Sequence, residues 1–155
     1  MPGYAANGSQ TVNPGASVLF NITVKGCPLG LIRHFDGEGD FLLSGKTRNR
    51  GGSCPCRCKK TTEYFIDFAA NVGVEEGGTP GPVSLALARN GVVIPYTAMT
   101  VTPAAAGTLD NISRAVNVPI WLGCCQSVAV VNTGTDPIVV NNPTIEIDWT
   151  EKGGA

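Results

Sequence analysis

The chain has 155 residues and a mass of 16.0 kDa, with 43% apolar residues, 15% charged residues and a formal net charge of −1. That is the length of one domain, large enough to fold on its own core, and the near-neutral balance argues against a dedicated nucleic-acid binder. No apolar run is long enough for a membrane-spanning helix, and Met1-Pro2-Gly3-Tyr4 leads into small polar residues rather than the basic-then-apolar stretch of a secretory signal.

Gly and Pro are abundant, at 20 and 11 residues, and Val and Thr are frequent, a composition of short strands and turns. Period-two alternation then recurs along the chain. Val18, Phe20, Ile22 and Val24 share one face of a first predicted strand, and Phe41 and Leu43 mark a short second one. The clearest strand carries Tyr64, Ile66, Phe68, Ala70 and Val72, with Glu63, Phe65, Asp67 and Asn71 facing away. Val83, Leu85 and Leu87 follow, and Asn90-Gly91 closes a hairpin of the kind whose two central residues need positive φ. Val92 to Val101 returns from that turn, with Pro95 marking a bulge or an edge. Ile112 to Val118, Val128 with Val130, and Ile145 to Trp149 complete the series.

Strand candidates at spacings of roughly 8–20 residues, with no amphipathic helix between them, predict an all-β domain. About eight to ten antiparallel strands in one small domain close most economically as a β-sandwich of jelly-roll type. The predicted organisation is an N-terminal arm over 1–12, the jelly roll over 13–150 with an insert at 46–60, and a disordered tail over 151–155.

Three stretches in order, Gly39–Gly45, Tyr64–Asn71 and Val83–Gly91, resemble the tumour-necrosis-factor-like jelly roll of globular complement-type domains. The opening Gly3-Tyr4-Ala5-Ala6-Asn7-Gly8 and the pair Cys124-Cys125 are similar to short proteins of clostridial genomes and their phages. The resemblance implies a homotrimer. Apolar residues on both faces of single strands, such as Phe65 beside Ile66 and Val139 beside Val140, are consistent with a second buried surface.

No enzyme motif is visible. His34 is the single histidine and stands in no nucleophile motif, so it reads as a surface or packing residue. Asp36-Gly37-Glu38-Gly39-Asp40 has the look of a calcium loop but lacks the remaining ligands, and reads as a solvated turn. The cysteines say more. Cys54, Cys56 and Cys58 alternate, Cys124 and Cys125 are adjacent, and Cys27 stands apart. Disulfides are the first reading, zinc the second because only Cys54 and Cys58 have ligand spacing, and inert thiols the third. No other cofactor is indicated.

The insert also carries Lys46, Arg48, Arg50, Arg57, Lys59 and Lys60 with no acidic residue, which is six of the eleven basic side chains. A positive loop on an otherwise negative body suits an acidic partner, and equally a solvated loop kept soluble by its charge. Loop parity in a jelly roll puts this insert and Cys124-Cys125 at one pole, with Cys27 starting from the opposite one. The functional expectation is a non-catalytic protein of a particle surface, a phage capsid decoration or head-fibre protein. It would be made in the host cytoplasm and docked on the virion surface. The alternatives are a spore-surface or extracellular appendage component, and a carbohydrate-binding adhesin.

Overall fold

In the computed structural model, which describes residues 2–26, 30–45, 61–121 and 125–150, alternation along the sequence becomes burial. Tyr64, Ile66, Phe68, Ala70 and Val72 are buried, and the residues between them face the other way. The described residues form β1 (Gly3–Ala5), β2 (Ser9–Val12), β3 (Ile22–Lys25), β4 (Ile32–Arg33), β5 (Phe41–Leu43), β6 (Thr61–Gly73), β7 (Val83–Arg89), β8 (Val92–Val93), β9 (Met99–Val101), β10 (Asp110–Trp121), β11 (Gln126–Asn132) and β12 (Ile138–Thr150). They pair into two sheets. The first runs β10-β6-β12-β1-β3 with β2 also on β12, and the second β4-β5-β11-β7-β8 with β9 also on β7. The predicted all-β antiparallel sandwich is the fold observed.

Three features depart from the sequence reading, each for a physical reason. Val18 and Phe20 are fully buried, whereas Ile22 is half-buried and Val24 is 70% exposed. The predicted strand over Val18–Val24 is two segments: Val18 N–H donates to Val130 O in the second sheet, and Asn21 N–H to Ala5 O in the first. The chain crosses between sheets there, so its inward face turns over in mid-run. Pro95 opens a 3₁₀ turn, Pro95–Thr97, because it brings no N–H to a ladder. The return from the hairpin is therefore split into β8 and β9. Finally, β1, β2 and β4 are too short to show a period of their own, and all three pair within the sheets.

Other expectations hold in detail. Asn90 and Gly91 have φ of 50° and 79°, and Arg89 pairs with Val92 across them. Proline 119 sits inside the twelve-residue β10 without breaking it, because β10 is an edge. Its carbonyl accepts from Arg89 Nη1, and the carbonyl of Asn117 accepts from Tyr96 Oη at 3.1 Å. These side chains from the second sheet cap an edge that would otherwise present bare backbone.

Tyr4, Phe20, Phe41 and Phe68 form an aromatic cluster in the core, with Phe20 and Phe41 edge-to-face at 5.4 Å. Two buried polar side chains are fully engaged. Thr97 Oγ1 accepts from Leu87 N–H at 2.9 Å and donates to Ile94 O at 2.7 Å. Asn132, 1% exposed, donates to Val12 O and Asp136 O and accepts from Gly134 N–H.

Candidate functional site

Side-chain alternation leaves each sheet an outer face, and that of the first sheet carries the apolar residues singled out above. Phe65 and Val139 both stand on it half-buried, because their neighbours Ile66 and Val140 point into the core. Phe65 pairs with Asn117 on one side and Asp148 on the other. Two residues along, Asp67 pairs with Glu146, and beside them lies a depression of about 350 Å³ walled by Gly3, Val24, Ala69 and Thr144. The face thus mixes apolar relief with carboxylates.

The outer face of the second sheet has a trough of about 410 Å³ floored by Ala88, Ala129 and Val131. It is deep because alanines stand where longer side chains would fill the sheet surface. Its rim is polar, with Ser17, Asp40, Ser127 and Thr133.

The cysteine-bearing segments are located by the residues that flank them. Thr61 pairs with Trp121 and Leu43 with Gln126, and Trp121 N–H donates to Gln126 Oε1 at 3.0 Å. The residues flanking 46–60 and 122–124 therefore meet at one end of the sandwich. Strand β3 runs antiparallel to β1, and β1 to β12, so β3 heads for the same end, where Thr150 pairs with Glu63. Leu31 O lies 3.4 Å from Tyr64 Oη and accepts from Ser44 N–H. Cys27 itself lies outside the described residues, and the described residues before and after it both lead to this end. The two-residue β4 adds one reversal between the first two predicted strands and shifts the parity of everything before it.

Cys125 is half-buried and disulfide-bonded. Cys27, Cys54, Cys56, Cys58 and Cys124 lie outside the described residues, as do Lys46, Arg48, Arg50, Arg57, Lys59, Lys60 and the tail 151–155. Among the described residues no cluster of His, Cys, Asp and Glu is arranged to hold a metal ion. In the acidic turn, Asp36 Oδ1 accepts from Thr23 Oγ1 at 3.2 Å, and its neighbours Glu38 and Asp40 are exposed. His34 packs flat on Phe41.

The fold is a two-sheet antiparallel β-sandwich of the TNF-like jelly-roll type. Among solved structures the chain is similar to the globular domain of zebrafish complement 1qA protein, with a TM-score of 0.60 and 12% identity over 97% of this chain and 96% of that one. It also matches a family 35 carbohydrate-binding module from Clostridium thermocellum, with a TM-score of 0.35 and 10% identity over 88% of this chain and 96% of that one. The first likeness establishes the fold alone, and the second is too distant to carry an argument. No family model and no curated protein matches the sequence, so the similarity to clostridial and phage proteins rests on the short motifs alone.

Proposed function

We propose that this chain is a non-catalytic structural protein of a particle surface, a homotrimeric phage capsid decoration or head-fibre protein displayed on the virion. The observation that carries the reading is the outer face of the first sheet. Phe65 and Val139 stand there opposite a core that is already complete, as side chains do where a second copy covers them. The complement-type fold supports the trimer by resemblance. The basic residues Lys46, Arg48, Arg50, Arg57, Lys59 and Lys60 would offer positive charge to an acidic particle lattice. Light scattering is expected to give three copies of 16.0 kDa, about 48 kDa, and a monomer at micromolar concentration sinks the trimer. Proteomics of purified virions that lack the chain would remove the phage assignment.

One observation favours a second reading, a spore-surface or extracellular appendage component. Cys125 is disulfide-bonded, and disulfides persist mainly in oxidising surroundings. The same bond supports a cross-link over zinc at Cys125, since a sulfur in a disulfide is no thiolate ligand, and the reading extends to Cys54, Cys56, Cys58 and Cys124 as an expectation. Capsid and terminase genes beside this one would favour the phage, and sporulation genes the appendage. The trough on the second sheet is lined without an aromatic ring for a sugar to stack on.

A further inference from the structure

Both ring nitrogens of His34 face backbone carbonyls. Nδ1 lies 2.9 Å from Asp40 O, and Nε2 lies 2.9 Å from Phe20 O. A carbonyl oxygen only accepts. A neutral imidazole has one N–H and one bare lone pair, so it satisfies one carbonyl and turns a lone pair on the other. Only the doubly protonated ring donates to both. The ring is also held in place: it stacks on Phe41 at 4.2 Å with 15° between the planes, and Tyr4 meets it edge-on at 5.1 Å.

The two carbonyls belong to segments that run close together. Gly37 N–H donates to Phe20 O at 2.8 Å, and Phe20 N–H donates to Glu38 O at 3.0 Å. A Cβ on Gly39 would lie 2.5 Å from Ser17 Cβ, so the turn and the crossing segment touch backbone to backbone. The titratable or charged groups on the elements packed against the ring are Tyr4 in β1, Arg33 in β4, and Asp36, Glu38 and Asp40 in the turn. Segment 17–21 and β5 carry none.

We propose that His34 is a proton-held latch. As imidazolium it ties the turn 34–40 to itself and to the segment that crosses between the sheets, and loss of one proton releases one of the two ties. The sign follows directly: the second tie is present while the ring is doubly protonated and is lost as pH rises and the ring gives up a proton. The charged ring also brings the formal balance to twelve positive against twelve negative groups.

Because the chain has a single histidine, imidazole ¹⁵N NMR reads the latch without assignment. As the ring titrates, wherever that falls, the exchange protection factors of the Gly37 and Phe20 amides should drop about tenfold, the worth of one charge-assisted hydrogen bond. In His34→Gln, which offers one donor and one acceptor, protection should be low at every pH and show no step. Wild-type protection that does not move with the ring's titration overturns the proposal. The wild-type titration decides even where the variant does not fold.

Discussion

Asn132 offers the sharpest test of how the two sheets are joined. It ends β11 in the second sheet, and its Nδ2 donates to Val12 O in β2 of the first sheet at 3.0 Å and to Asp136 O at 2.9 Å. Its Oδ1 accepts from Gly134 N–H at 2.9 Å. Asn132→Ala removes all three bonds, each worth about 1 kcal/mol net. Asp136 is exposed and its carbonyl regains water, whereas Val12 is 2% exposed and its carbonyl does not. The expected loss is therefore about 2–3 kcal/mol, a fall in Tm of roughly 5–10 °C for a chain of this size. Urea unfolding at fixed protomer concentration should show a lower midpoint with an unchanged slope. Asn132→Asp separates hydrogen bonding from packing, because it keeps the acceptor for Gly134 N–H but sets a carboxylate against two carbonyl oxygens. It should cost more than alanine. A loss below about 1 kcal/mol for alanine, or a milder effect for aspartate, refutes the reasoning.

Phe65→Glu puts a carboxylate beside Asp148 on the outer face of the first sheet and should leave the far-ultraviolet spectrum intact while light scattering falls to the monomer mass. A trimer that persists places the interface elsewhere. Thr97→Val keeps the shape but orphans Leu87 N–H in a fully buried site, while Ile94 O keeps its bond from Thr97 N–H, and should cost about 1–3 kcal/mol with faster exchange of the Leu87 amide. An unchanged amide would mean that the hydroxyl is not its partner. Peptide mapping without reductant should recover the Cys125 peptide cross-linked, with no zinc by elemental analysis; a free thiol at Cys125 contradicts the bond. Cys27 belongs among the partners to be searched, since the residues flanking it lead to the same end of the sandwich.

What the sequence determined by itself is what local chemistry encodes. Alternation fixes which side chains of β6 turn inward, and those of β12 on either side of its bulge between Asn141 and Thr144, because successive residues of a regular strand point to opposite faces. Asn90-Gly91 fixes a two-residue hairpin, because both positions must take positive φ. The apolar outward residues Phe65 and Val139 could be read the same way. Tertiary structure decided the rest. Strands of two to four residues such as β4 and β2 carry no period, and they exist only because partners distant in sequence supply their hydrogen bonds. β4 adds a reversal of the chain between the first two predicted strands. Alternation over Val18–Val24 could not show that the chain changes sheets at Asn21, since a crossing leaves the pattern of residues untouched while exchanging the surface that covers them. The two carbonyls that meet His34 come from Phe20 and Asp40, and only the packing of the crossing segment on the turn brings both to one ring.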